Sequence, residues 1–172
     1  MGKEKIKQRE ELEELLREIS RSRIVTTNGA FDILHAGHLN TFYQAKGWGD
    51  VLIVGVNSDA SIKAYKDPDR PVNNQNDRAL LISALEMVDY VTIFDEPDPR
   101  ALLDIIKPDY HVKSKTGYKG IEKEVVERYG GQIILLDDVP GYSTTGLLEE
   151  HIDRYVKSLH EKYDLGGFEI DT

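Results

Sequence analysis

The chain has no cysteine. That excludes disulfides, zinc–thiolate sites and thiol catalysis. Long apolar runs are also missing. Stretches such as Val51–Val56 fall far short of the ~20 residues that a bilayer-spanning helix needs. The opening MGKEKIKQREELEELL has no apolar core of the kind found in a signal peptide. Gly2 is followed by Glu4, Lys5 and Ile6 without the later Ser or Thr that myristoylation requires. These absences lead to the expectation of a soluble, cytoplasmic protein. Positive charge is scarce as well: 22 Lys and Arg against 31 Asp and Glu leave a net charge of −9. Such a balance opposes non-specific binding to nucleic acid or to an anionic membrane. An anionic substrate would then depend on helix ends and a few placed cations.

A length of 172 residues with 40% hydrophobic content suits one domain with a real core. No repeat, low-complexity tract or second domain stands out. Residues 4–20 carry Ile6, Leu12, Leu15, Leu16 and Ile19 at helical spacing and predict an amphipathic helix. Strands are expected at 23–28, 50–57, 90–94, 109–113 and 132–136. Asp50–Asn57 lacks polar alternation and reads as buried on both faces. Helices are expected at 36–47, 75–87, 98–106, 121–129 and from Ser143 onward. The 75–87 helix would present Leu80, Leu81, Ala84, Leu85 and Met87 as its apolar stripe. The polar stretch after Asn57, broken by Pro68 and Pro71, is expected as a long loop with at most one helical turn, and 164–172 as a tail.

Strand and helix alternate, which requires crossovers and a parallel sheet with helices on both faces. The expected fold is therefore α/β, a Rossmann-like, doubly wound, five-stranded parallel sheet. Ligands bind such sheets beyond the carboxyl ends of the strands, where strand order reverses. Three segments converge there: NGAFDILHAGH, the 58–73 loop and VPGYSTT.

Within the first of these, His35 and His38 bracket Gly37 where a strand gives way to a helix. A bare H-x-x-H spacing is a weak pattern, equally read as a cap or as solvent-facing side chains. A metal site would need a third ligand, and none is evident beside Asp32. The position changes the balance. A helix N-terminus offers unpaired N–H groups and a positive dipole end, and Gly37 lets a phosphate approach the backbone. Two imidazoles there can donate hydrogen bonds to phosphate oxygens as charge grows at phosphorus.

Gly29, Phe31, Asp32, His35, Gly37 and His38 form G-x-F-D-x-x-H-x-G-H, which resembles the signature of the HxGH nucleotidyltransferase superfamily. GDVLIVGVNSDAS, RPVN followed by Arg78, ALEMVDYVTIF, KPDYHVK and YSTT are similar to the D-glycero-β-D-manno-heptose 1-phosphate adenylyltransferases. The likeness covers about residues 22–150. It implies a single nucleotidyltransferase domain over 1–172, with an N-terminal helix at 4–20 and a C-terminal helix and tail at 143–172. It implies AMP transfer from ATP, with Mg²⁺, to a sugar 1-phosphate, releasing pyrophosphate. The alternatives are CTP with a polyol phosphate such as glycerol 3-phosphate, or a nucleotide-binding module without chemistry.

The resemblance also implies residue roles. His35, His38 and Lys46 would be catalytic, Lys46 by reaching the phosphates, although a solvated helix lysine fits its position equally. Asn28, Gly29, Ala30, Phe31, Gly37, Asn57, Asp59, Arg78, Lys113, Ser143, Thr144 and Thr145 would hold nucleotide or substrate. Read without the family, Asp59 forms a turn, Arg78 faces solvent, and Ser143 to Thr145 cap a helix. The sequence departs from the family at VKSKTGY, where Ser114, Lys115 and Thr116 replace a glycine-rich acidic stretch, and at Ala30, where a cysteine is common. Lys113 and Lys115 are candidates for a sugar phosphate. A separate sugar kinase would supply that substrate. The apolar faces of the terminal helices suit a homodimer or packing on their own domain.

Overall fold

A computed structural model describes residues 2–64, 69–141 and 144–163. After a 3₁₀ turn at Lys3–Lys5, the chain runs through α1 (Arg9–Glu18), β1 (Ile24–Gly29), α2 (Ala36–Lys46) and β2 (Val51–Asn57). It continues with α3 (Asp59–Lys63), α4 (Gln75–Ser83), β3 (Tyr90–Phe94), α5 (Arg100–Ile106) and β4 (Tyr110–Ser114). The final elements are α6 (Lys123–Arg128), β5 (Gln132–Leu136) and α7 (Thr144–Tyr163). The five strands form one sheet in the order β3-β2-β1-β4-β5, parallel throughout. This is the expected doubly wound α/β fold. From β1 the chain winds outward through β2 to β3, then returns to place β4 on the other side of β1. Strand order therefore reverses between β1 and β4, and the loops leaving those strands frame a crevice.

The strand period of two decides which face each residue serves. Along β2, Leu52, Val54 and Val56 join Phe42 and Ala45 of α2 and Ala79 and Ile82 of α4 in one core. Ile53, between them, joins Leu12 and Leu15 of α1 and Leu102 and Ile106 of α5 in the core of the opposite face. Both faces are thus covered, as an unalternating apolar strand requires. Gly55 is the necessary exception in β2. A Cβ there would stand 2.8 Å from Leu102 Cδ2.

The N-terminal helix and the 75–87 helix differ from expectation, while the stretch after Asn57 holds the one helical turn expected of it. The N-terminal helix is shorter, because Ile6 is drawn into a parallel bridge with Val91 and the Lys7 N–H donates to the Val91 carbonyl. Helix then starts after Gln8, whose N–H donates to the Glu11 carboxylate at 2.8 Å. The stretch after Asn57 contains α3, capped by Ser58 Oγ accepting from the Ser61 N–H. Helix α4 ends at Ser83 and buries Arg78, Ala79, Ile82 and Ser83, leaving the expected stripe residues Leu80 and Leu81 exposed. A fully buried arginine on that face rotates the helix away from its most apolar stripe. Among the described residues no helix is long and apolar enough to cross a membrane.

On β4, His111 is fully buried opposite Thr26 of β1, and the Thr26 hydroxyl and His111 Nδ1 share a hydrogen bond of 2.8 Å. Burial, with a smaller contribution from Lys113, pushes the His111 imidazolium down to about 3. The unfolded chain takes up this proton near the usual histidine value of 6.5, and the native chain refuses it until about 3. Stability is therefore expected to fall as pH drops through that window. His111 steepens the curve by up to about 1.4 kcal/mol per pH unit. Urea titrations at stepped pH should show His111→Gln with a flatter slope there than the parent. Equal slopes would contradict the assignment.

Candidate active site

The chain leaves β1 through a turn that only a strained backbone can make. Phe31 has φ 47°, in the left-handed region that bulky residues avoid. Its ring folds back over Gly29, where a Cβ would stand 3.1 Å from the ring, so a side chain at 29 would push it out. The ring packs against Phe42, centroids 5.2 Å apart, and meets His38 edge-on at 5.3 Å. Strain of this kind costs roughly 1–3 kcal/mol and persists only where surroundings enforce it.

Arg78 is one enforcer. Its side chain has no solvent exposure, and it donates to the carbonyls of Ala30 and Asn73 and to Asp59 Oδ1 at 2.7 Å. Asp32 is the other. It accepts from Arg70 at 3.0 Å and from the Asn73 N–H at 3.0 Å, while its own carbonyl accepts from Asn73 Nδ2. Burial alone would raise the Asp32 carboxyl. The N–H groups of Asn73 and Val72 and the Arg70 guanidinium overcome it and hold the group below its ordinary value. The 70–78 segment is thus stapled to the turn that presents the histidines.

Past the turn, His35 is the N-cap of α2 and His38 lies in its first turn. The two rings stack, centroids 3.7 Å apart and planes 20° apart. Desolvation lowers the His35 pKa, so near neutral pH its ring is uncharged. Both histidines line a cavity of about 420 Å³ in the β1–β4 crevice. One wall comes from Thr27–Asp32, Gly37, Asn40 and Thr41, the other from Lys113, Ser114, Gly117 and Asp137–Val139. Lys113 Nζ donates to the carbonyl and Oδ1 of Asn28, at 3.1 and 3.2 Å, and so ties the two walls together.

The structure brings Asn28, Gly29, Ala30, Phe31, His35, Gly37, His38 and Lys113 to this cavity. It does not bring Lys46. That residue ends α2, about 15 Å along the axis from the histidine end, and its ammonium is bonded to Asp89 and to the Asp50 carbonyl. Arg78 is not the surface arginine that its sequence suggests but a buried clamp, and Asp59 is its carboxylate partner. Asn57 is buried and donates to Ser61 Oγ at 3.0 Å. None of these four lines the cavity. Ser143 lies outside the described residues. Thr144 and Thr145 open α7, and their side chains lie outside the described residues too. Sequence reasoning missed Asp137 and Asp138, although their place directly after the last strand was a usable signal. It also missed Arg70 and Asn73, whose partner Asp32 is some forty positions away.

Among the described residues no group of three His, Asp or Glu side chains is placed to hold a metal ion. Mg²⁺ that travels on a triphosphate needs only one or two protein carboxylates, or none.

The protein is thus an α/β protein that presents paired imidazoles at its first crossover, in the crevice where strand order reverses. Residues 26–156 match the family model described as cytidylyltransferase-like, and the chain belongs to that family. It is 44% identical over 156 residues to the bifunctional protein HldE of Syntrophotalea carbinolica, covering 88% of this chain and 32% of that one. It is 52% identical over 147 residues to the bifunctional protein HldE of Nitratiruptor sp., covering 84% and 31%. The chain spans about a third of the length of the curated relatives it matches. A lipopolysaccharide core biosynthesis protein from Thermoplasma volcanium superposes with TM-score 0.60 at 28% identity, over 69% of this chain and 98% of that one. The pantoate–β-alanine ligase of Francisella tularensis, at 14% identity and TM-score 0.56 over 95% and 81%, shares the fold.

Arg78→Leu should cost about 3–5 kcal/mol, because it orphans two loop carbonyls and a carboxylate. Chemical denaturation is the measurement. A loss under 1 kcal/mol would show the clamp to be dispensable.

Proposed function

We propose that the chain transfers AMP from ATP to a sugar 1-phosphate, with heptose 1-phosphate the preferred acceptor. A phosphate oxygen of the acceptor attacks the α-phosphorus. The bond from that phosphorus to the bridging oxygen breaks, and pyrophosphate leaves with the electron pair. The observation that carries this reading is the stacked His35–His38 pair at the mouth of α2, on the wall of the β1–β4 cavity. The likeness to the HldE proteins supports the acceptor class.

His35 donates through a ring N–H. His38 is held edge-on by Phe31, which fixes its orientation. Such preset donors stabilise the charge that builds on the departing oxygens without reorganising. The free N–H groups at the start of α2 add to the same field. Gly37 leaves the backbone there open to a phosphate. Lys113, on the opposite wall, is the cation nearest a phosphorylated acceptor. A phosphate dianion is already a nucleophile, so no general base is required. Mg²⁺ held by the triphosphate would neutralise charge and orient the phosphates. Positioning supplies the rest of the acceleration.

A second reading, which the likeness to the HldE proteins does not favour, is that of a cytidylyltransferase. In it, CTP is the donor and a polyol phosphate such as glycerol 3-phosphate is the acceptor. Pyrophosphate release measured with ATP and with CTP, across a panel of sugar and polyol phosphates, separates the two. Highest kcat/KM for ATP with heptose 1-phosphate is the expected result. No release with any pair would leave a nucleotide-binding module. A cytoplasmic setting, where nucleotides are available, and a kinase acting earlier on the sugar belong to the same proposal.

His35→Ala and His38→Ala should each lower kcat by about 10²–10³ while the chain stays folded. Near-parental turnover in either would remove that residue from the mechanism. Lys46→Met should leave turnover close to the parent and cost at most about 1 kcal/mol, as expected for a half-exposed ion pair.

A further inference from the structure

Lys113 is a costly way to place a positive charge. Its side chain is 13% exposed, and Glu122, the carboxylate paired with it among the described residues, is 4% exposed. Glu122 precedes α6 directly. Its Oε1 stands 3.7 Å from Lys113 Nζ, in ion-pair range but beyond a hydrogen bond. Its Oε2 is buried and has no hydrogen-bond partner among the described residues. Buried carboxylates in structural ion pairs normally have their oxygens filled by donors. Glu122 does not, so its charge is used at a distance rather than to staple α6 to the sheet.

We propose that Glu122 is a positioning residue for the acceptor: its carboxylate keeps the Lys113 ammonium charged and facing the β1–β4 crevice, where the acceptor phosphate enters. This rests on the reading above, in which a phosphorylated acceptor meets Lys113. Lys113 and His111 alternate with Val112 along β4, so they share one face with Thr26 and Asn28 of β1. The groups around the ammonium are few. Asn28 offers two neutral oxygens. His111 is uncharged at neutral pH and, when charged, works against Lys113. Tyr118, in the loop after β4, is itself raised by burial and by Glu122 and Glu127. Asp137 and Asp138 lie on the cavity wall, where Lys115 engages Asp137 and the Thr116 N–H engages Asp138. His35 and His38 belong to the facing wall. Burial lowers the Lys113 pKa, and Glu122 is the group that opposes it.

The test is steady-state kinetics of Glu122→Gln with ATP and heptose 1-phosphate, from near-neutral to alkaline pH. Without the carboxylate, Lys113 should lose its proton at lower pH. The basic limb of kcat/KM for heptose 1-phosphate should move down by about one pH unit, a drop of about tenfold on that limb. The loss should shrink toward neutral pH. KM for ATP should stay at the parental value, and Glu122→Asp should restore the limb. In a Lys113→Met background, Glu122→Gln should add no further change. An unshifted limb, an equal loss for both substrates at every pH, or an effect that persists without Lys113 would each overturn the proposal. Should Glu122→Gln fail to fold, the ¹³Cε titration of Lys113 in the parent chain still tests the part of the proposal in which the acceptor phosphate meets Lys113. Heptose 1-phosphate must move that titration to higher pH and a non-hydrolysable ATP analogue must not; no movement overturns the proposal. A parent chain that releases no pyrophosphate with any nucleotide and acceptor would instead defeat the nucleotidyl-transfer reading itself.

Discussion

Arg78 carries a full charge to a place with no exposure to water, and it satisfies that charge on two loop carbonyls and on a carboxylate at the start of α3. Its donors reach Ala30 in the β1–α2 turn, Asn73 in the segment before α4, and Asp59 at the start of α3. Those three segments leave two adjacent strands, and Arg78 is bonded to all of them. With the guanidinium in place, the Ala30 carbonyl is pinned, Phe31 is forced into the left-handed region, and its ring closes over Gly29 onto His38 and Phe42. The orientation of the histidine pair is thus inherited from a residue that never reaches the cavity. Asp32 repeats the device one residue later through Arg70 and Asn73.

This dependence explains a feature of the energetics. Aromatic stacking and imidazole packing are each worth about 0.5–1.5 kcal/mol, too little to hold a strained turn that costs as much or more. Buried, charge-assisted hydrogen bonds are of the right size. The turn is held because the Ala30 carbonyl and the Asp32 carbonyl and carboxylate are all engaged by buried or half-buried donors.

Much of the fold was legible because its signals are local. The unbroken apolar run of β2, the glycines after α2 and α6, and the alternation of strand with helix all act over a few residues, and together they require a parallel sheet covered by helices on both faces. The histidine-bearing turn was legible for the same reason. Legibility failed where a partner lies far along the chain. Lys46 looks like a free helix lysine until Asp89 is brought beside it. Arg78 looks like a surface residue until Ala30 arrives, forty-eight positions away. Leu80 and Leu81 look like core until that arginine claims the inward face of α4. In each case a non-local charge pairing overrode a local preference, and no periodicity reports such pairings.

The two cavity walls come from separate lengths of the chain, 27–41 on one side and 113–139 on the other. Lys113 of the second wall reaches across to Asn28 of the first. Clamps from α3 and α4 brace the first wall, while the second is braced within its own loops by Lys115 with Asp137 and by Ser114 with Gly117. Such a division makes the two halves separately adaptable. Loops after β4 and β5 can therefore change length and side chains while the clamped turn at the start of α2 keeps its shape, so one face of the crevice can vary against a constant other.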